Sequence, residues 1–179
     1  MPSQSRKTRT VPLLAALLLS LAFLAPAHAE SDPLLAKFVG KWVGRGTYKA
    51  SPNGKPEMVY CSVSNKLADG GNSLEQSGRC ALSDKFGRIS GKITARGLGQ
   101  YEGSLQSAST IGPAWIAGTG RDGHIEFNAQ FTDRMTRKPG GAIISLVVAE
   151  KGGYRLTSNA LGADGKPKFV ASDIVFTQQ

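Results

Sequence analysis

Residues 59–82, VYCSVSNKLADGGNSLEQSGRCAL, decide the fold because they read as a β-hairpin. Two runs of alternating apolar and polar residues flank ADGGNS, a turn signal centred on Gly70 and Gly71. A hairpin centred on these two glycines sets Cys61 opposite Cys80. The same register gives the apolar residues of both strands one common face.

This register also predicts a disulfide between Cys61 and Cys80, the two cysteines of the chain. Directly opposed residues in an antiparallel pair have Cα atoms about 4.5–5.5 Å apart, which a disulfide can span. Closing a loop of this length is worth about 3 kcal/mol in the chain-entropy model. The C-x-x-C spacing of redox-active pairs is missing, so we expect a structural bond.

The N-terminus predicts export. Residues 1–29 combine a basic start, an apolar run that is interrupted by Pro26, and a small-x-small site at 27–29, the order of a Sec-type signal peptide cleaved after Ala29. The run is shorter than the roughly 20 apolar residues of a membrane span. We therefore expect a periplasmic or secreted protein, with no membrane span in the mature chain.

The mature segment 30–179 has the length of one domain. The net charge of +9 falls to +6 when the three basic residues of the signal segment are removed, and the remaining basic residues are spread along the chain. That spread is typical of a solvated surface rather than a nucleic-acid-binding face. Arg134, Arg137 and Lys138 form the one tight group, which could contact an acidic partner or anionic lipid.

Ten short segments of alternating character predict an all-β protein. They are separated by turns rich in glycine, proline, asparagine and aspartate. The expected strands are 41–49, 57–67, 73–82, 88–96, 100–107, 114–118, 123–132, 142–150, 153–160 and 168–177. Evenly spaced antiparallel strands suit a sandwich or a closed barrel, and glycines inside the strands favour the strongly bent strands of a barrel. We expect a single antiparallel up-and-down β-barrel of about 8–10 strands, with a short helix starting at Asp32 and Pro33 and stopping at Gly40.

The start of the first strand carries a family resemblance. FVGKWVGRGTY, residues 38–48, places Trp42 between Gly40, Gly44 and Gly46. A short helix followed by G-x-W-x-G-x-G resembles the opening of calycin-type barrels, the lipocalins and fatty-acid-binding proteins, and is most similar to nitrobindin in its glycine spacing. The resemblance implies a barrel of eight or ten strands whose tryptophan closes one end beneath a bound ligand.

Departures from these families limit what can be carried over. Nitrobindin-like proteins hold haem through a histidine near the C-terminus, whereas His124 is the one histidine after residue 29. The second lipocalin motif is also missing, although Arg155 could pack over Trp42 in place of its arginine. The sequence therefore predicts no cofactor and no metal site.

Catalytic motifs are weak. The string GTGRDG, residues 118–123, satisfies G-x-G-x-x-G, but an alternating strand follows it where a phosphate-binding loop needs a helix. His124 lies beside Asp122 and Glu126 on the face expected to be exterior. We therefore expect no catalytic residues and no enzymatic activity.

Two functions remain open. The first is a non-enzymatic periplasmic barrel that binds a small apolar or amphipathic ligand in its lumen, with Trp42 as floor and Tyr101, Trp115 and Phe127 as wall. The second is a protein-interaction module with a sealed barrel, such as a protease inhibitor or an envelope partner. Small exported barrels with a G-x-W opening and one disulfide also resemble the bacterial metalloprotease inhibitors, which insert their N-terminal tail into the protease.

Overall fold

The computed structural model describes residues 31–83 and 85–179. The predicted signal peptide lies outside the described residues. The short helix α1 spans Pro33–Ala36, and a single 3-10 turn spans Asp69–Gly71. The strands are β1 Gly40–Tyr48, β2 Glu57–Ala68, β3 Ser73–Leu82, β4 Lys85–Gly97, β5 Gln100–Gln106, β6 Thr110–Arg121, β7 His124–Asp133, β8 Pro139–Val148, β9 Tyr154–Leu161 and β10 Pro167–Gln178.

The ten strands close into one antiparallel up-and-down barrel, which confirms the predicted fold class. Each strand pairs with its neighbours in sequence, and β1 pairs with β10 to complete the ring. Closure leaves no unpaired edge among these strands, so the barrel avoids the association that open sheets invite. The architecture is consistent with a calycin-like fold.

The β2–β3 hairpin has the predicted register. Cys61 pairs with Cys80, their Cα atoms are 4.0 Å apart, and the disulfide is formed. The connection is longer than two residues, because the ladder ends at Ala68 and Ser73 and a 3-10 turn intervenes. The predicted register is nevertheless correct, because this longer connection is centred on Gly70 and Gly71, as the expected two-residue turn is.

Several boundaries differ from the sequence prediction, most of all at β6 and at the end of α1. Strand β6 starts at Thr110 rather than 114, with an irregular stretch between Ile111 and Trp115 that contains Gly112 at φ 70° and Pro113. Such residues hide a strand from a search for simple alternation. Helix α1 ends at Ala36 and does not reach Gly40, which is the first residue of β1.

Candidate functional site

One end of the barrel is closed by the segment that contains α1. Leu34, Leu35 and Phe38 are buried there and pack into the core. Asp32 starts the helix, since its Oδ1 accepts from the backbone N–H groups of Leu34 and Leu35 at 3.0 and 2.8 Å. We call this end the plugged end and the opposite end the open end.

Trp42 lies directly on the plug. Its indole is 4% exposed, and Nε1 donates to the carbonyl oxygen of Phe38 at 2.9 Å. The same oxygen accepts from Nδ2 of Asn65 at 2.9 Å. A buried indole on β1 and a buried amide on β2 therefore hold the end of the plug, and Trp42 is buried against it.

Tyr154 is the aromatic residue that the sequence interpretation missed. Its ring meets Phe38 and Trp42 edge to face, each at 5.3 Å between centroids, and stacks on Phe176 at 4.5 Å. Arg155, which the sequence left open as a residue that could pack over Trp42, lies on the outside and pairs with Asp173, with Nε 2.7 Å from Oδ1. The alternation of β9 could have predicted the inward position of Tyr154, because Tyr154, Leu156 and Ala160 share the inward face of the strand.

The glycines of the opening motif make room for this floor. A Cβ on Gly44 would lie 2.5 Å from the ring of Phe176, and a Cβ on Gly46 would overlap the backbone of Asp173 on β10. The absence of a side chain at Gly44 thus leaves room for the ring of Phe176, and its absence at Gly46 lets the backbone of β10 approach closely. The G-x-W-x-G-x-G pattern serves barrel closure in this chain.

Two buried tyrosine hydroxyls have perturbed acidity. Burial raises the pKa of Tyr101 to about 12, and the nearby Asp32 carboxylate adds to the effect. Burial also raises the pKa of Tyr154 to about 12, while the Asn65 amide acts in the opposite direction. Both hydroxyls therefore stay protonated over the physiological range.

The predicted wall residues divide into two groups. Tyr101 and Phe127 face inward and are 4% and 1% exposed. Trp115 is 66% exposed and pairs with Ser104 and Gln130 on the outer surface, so the expectation that it lines the interior is corrected. Its neighbours Ala114 and Ile116 take the inward positions of β6. The ligand-binding roles of Trp42, Tyr101 and Phe127 stay predictions.

The burial of the inward-facing side chains differs between the plugged end and the open end. Inward-facing residues near the plug are almost fully buried, as Ile125 and Phe176 illustrate. Toward the opposite end several inward-facing side chains are only half-buried, namely Tyr48, Leu82, Ile89, Leu105, Phe131, Ile144, Ser158 and Ser172, whereas Val59, Ala129 and Ala142 stay buried. Solvent therefore reaches a mainly apolar inner surface from this end.

Polar groups surround the entrance at the open end. Tyr48 of β1 pairs with Glu57 of β2. Burial raises the pKa of the Tyr48 hydroxyl, and the negative charges of Asp133 and then Glu57 raise it further. Asp133 belongs to β7, on the far side of the ring from β1. The hydroxyl of Tyr48 and the carboxylates of Glu57 and Asp133 are thus polar groups of the open end.

A separate concavity lies on the outer surface beside the open end. Its volume is about 690 Å³. Its lining includes Ile111, Pro113, Trp115, Pro139 and Leu161. The exposed indole of Trp115 is therefore part of an outer groove and not of the lumen.

Catalytic and metal-binding constellations are sparse. Within residues 31–83 and 85–179, no group of three or more His, Cys, Asp or Glu side chains is placed to hold a metal ion. His124 is exposed, and its Nε2 lies 2.8 Å from Oγ of Ser145. The GTGRDG string ends in a tight β6–β7 turn with Asp122 and Gly123 at positive φ, as the strand interpretation predicted.

Comparison with known proteins adds no family. A scan of family models finds no match to the chain, and a search of curated proteins also finds none. In the described part of the chain, no helix is both long and apolar enough to cross a membrane. A functional proposal therefore rests on the fold and the side-chain geometry.

Proposed function

We propose that this barrel binds a small apolar or amphipathic molecule through its open end and is not an enzyme. The observation that carries the proposal is the partial exposure of the inner surface toward the open end, where inward-facing side chains such as Tyr48, Phe131 and Ile144 are only half-buried. Small-molecule sites are concave and mostly apolar, with a few polar groups that orient the ligand. The inner surface has that composition.

The geometry suggests an orientation for the ligand. The apolar part would lie toward Phe127 and the aromatic floor of Trp42 and Tyr154. A polar head would lie between mid-height and the entrance, where Ser158 pairs with Ser172 across β9 and β10 and Tyr48 pairs with Ser172 across β1 and β10. We propose that this binding occurs outside the cytoplasm after removal of residues 1–29, and the disulfide fits that location.

Native mass spectrometry of protein purified from the periplasm tests retention of a natural ligand, and we expect added mass that is lost on denaturation. A second measurement uses the amphipathic dye 1-anilinonaphthalene-8-sulfonate as a probe. Ser158→Phe fills the inner surface at mid-height, whereas Thr157→Phe adds the same ring on the outer face of the same strand. We expect Ser158→Phe to reduce dye binding at least tenfold and Thr157→Phe to leave it within twofold.

Circular dichroism and thermal unfolding would confirm that both variants fold. Equal dye binding by the two folded variants would place the dye outside the lumen. Together with the absence of retained mass, that result would overturn the proposal.

A protein-interaction module is the second candidate, and the outer groove with Trp115 favours it. The inhibitor-like mode is not favoured, because the backbone N–H of Asp32 donates to the carbonyl of Gly71 and the next residues form the plug. Pull-down from an envelope extract with wild type, Trp115→Ser and the outer-face control Val175→Ser tests this candidate. Loss of a specific partner with Trp115→Ser alone would support it.

A further inference from the structure

Three segments at the open end form one continuous surface, which we call the rim: the start of β4 at residues 85–87, the β5–β6 loop 107–109 and the β7–β8 loop 134–138. Ala108 lies between the other two. A Cβ on Gly87 would be 2.5 Å from the Ala108 Cβ, and Arg134 Nε donates to the Ala108 carbonyl at 2.9 Å. Arg134 Nη2 also donates to the Thr110 carbonyl at 2.8 Å. These close approaches hold the three segments beside one another.

Large apolar side chains project from the rim into solvent. Phe86 is 83% exposed beside the β3–β4 turn, and Met135 is 84% exposed in the β7–β8 loop. Ile111 and Trp115, which follow the β5–β6 loop, are 45% and 66% exposed. Exposed apolar groups that recur along one surface indicate an interaction site rather than chance.

Charge is distributed unevenly between the two ends. The described residues of the connections at the open end include six basic residues and one acidic residue: Lys49, Lys55, Arg134, Arg137, Lys138 and Lys166 against Asp164. The segments at the plugged end hold two basic and four acidic residues: Lys37 and Lys151 against Asp32, Asp69, Asp122 and Glu150. The end that exposes Phe86 and Met135 is therefore the cationic end.

We propose that the rim docks on the surface of an anionic lipid bilayer. Phe86 and Met135 would enter the boundary between headgroups and acyl chains, Trp115 would lie near headgroup depth, and Arg137 and Lys138 would contact lipid phosphates. Interfacial proteins combine apolar anchors with Lys and Arg in this way, and tryptophan favours that depth because its ring is amphipathic. Each basic residue near an anionic surface contributes about 1 kcal/mol.

The spacing of the anchors favours a bilayer over an acidic protein. Phe86 projects from the start of β4 and Met135 from the β7–β8 loop, with the β5–β6 loop between them, rather than from one concavity. A protein partner would need a matching cavity for each projection, whereas a bilayer accepts projecting apolar groups at any spacing. Docking would hold the open end against the lipid surface, and it does not require that the lumen hold a ligand.

Trp115 supplies a direct readout. The chain has two tryptophans, and Trp42 is buried in the plug. In a Trp42→Phe background, emission reports Trp115 alone. The exported product of the full chain is titrated with vesicles of phosphatidylcholine, or of phosphatidylcholine mixed with phosphatidylglycerol, with and without brominated acyl chains. We expect a blue shift and quenching by brominated lipid only with the anionic vesicles, and weaker binding at high salt.

Matched variants separate the rim from the rest of the surface. Phe86→Ser combined with Met135→Ser should lower the vesicle partition coefficient at least tenfold. Arg137→Gln combined with Lys138→Gln should lower it about fivefold for each charge removed. The controls are Leu98→Ser and Lys151→Gln, which alter an exposed apolar group and a charge at the plugged end, and both should stay within twofold. All proteins share one N-terminus, so the apolar segment 12–26 cannot produce these differences.

Two results would overturn the proposal. One is the absence of Trp115 quenching with anionic vesicles. The other is equal loss of partitioning in rim variants and plugged-end controls. Capture of an acidic envelope protein by wild type but not by the rim variants, without vesicle binding, would assign the rim to a protein partner instead. Dye binding in the lumen is measured separately, so failure here leaves the lumen proposal standing.

Discussion

The hydroxyl of Tyr101 donates to the carboxylate of Asp32, at 3.1 Å from Oδ2 and 3.3 Å from Oδ1. A side chain of β5 thereby holds the residue that caps the plugging helix. Hydrogen bonds to charged groups typically contribute about 1.5–3 kcal/mol. We expect Tyr101→Phe to lower the free energy of unfolding by about 1.5 kcal/mol, measured by urea denaturation.

Asp32→Ala should cost more than Tyr101→Phe, because it also removes the helix cap, worth about 1 kcal/mol. In the Asp32→Ala background, Tyr101→Phe should cost little. A full and additive cost of both substitutions would show that the two side chains do not interact.

Alkaline conditions should destabilise the protein. The pKa values of Tyr101 and Tyr154 are raised to about 12 in the folded chain, above the ordinary value of 10.0. The stabilisation is therefore fully present below pH 10 and is lost as pH rises through 12, since the unfolded chain releases these protons first. Each tyrosine should contribute a slope of about 1.4 kcal/mol per pH unit in this window.

Urea unfolding followed from pH 8 upward would measure this slope. Tyr101→Phe combined with Tyr154→Phe should flatten the profile between pH 10 and 12. An unchanged profile in the double variant would assign the alkaline transition to other groups.

Tyr154→Phe should leave stability unchanged or raise it by about 1 kcal/mol. The Tyr154 hydroxyl is buried, and among residues 31–83 and 85–179 neither it nor Oδ1 of Asn65 has a hydrogen-bond partner. Removal of an unsatisfied buried polar group removes its desolvation cost while the ring contacts remain. Thermal unfolding of Tyr154→Phe beside Tyr154→Ala, which should lose about 3–5 kcal/mol, tests this. A clear loss with Tyr154→Phe would reveal a partner for the hydroxyl.

The disulfide should contribute about 3 kcal/mol, because it closes the loop between Cys61 and Cys80 at a sequence separation of 19. The matched comparison is wild type, oxidised and reduced, against Cys61→Ala combined with Cys80→Ala under the same two conditions. Reductant should lower the free energy of unfolding, measured by guanidinium denaturation, for wild type only. An equal response of both proteins would mean that the reductant acts elsewhere.

Gly46→Ala should destabilise the barrel by about 2 kcal/mol or more, because the added Cβ would overlap the Asp173 carbonyl and lie 2.7 Å from the Ile174 Cα. Gly141→Ala is the control: its Cβ would lie 3.3 Å from the mobile end of Leu161 and 3.5 Å from the Ala129 carbonyl. We expect the control to change stability by less than about 0.5 kcal/mol. Equal effects would show that close strand approach is not what Gly46 provides.

The sequence by itself determined the local elements. The hairpin register around Gly70 and Gly71, the disulfide and the Asp32 cap follow from patterns within a few residues or within one hairpin. The positions of ten strands also followed, since side-chain alternation reports burial directly. Among the candidate site residues, the buried positions of Trp42, Tyr101 and Phe127 could be predicted in this way.

Tertiary structure decided which distant residues meet. Closure of β1 on β10 brings Phe176 beside Gly44 and, through β9, Tyr154 onto Trp42. Trp115 lies on the outer face between the buried Ala114 and Ile116, and the close approaches of Ala108 join the three segments of the rim. These relationships depend on how the strands are staggered around the ring, which short-range alternation does not encode. The sequence could therefore predict which side chains of a strand face inward and which face outward. Only the closed barrel determined which end is plugged and which is open.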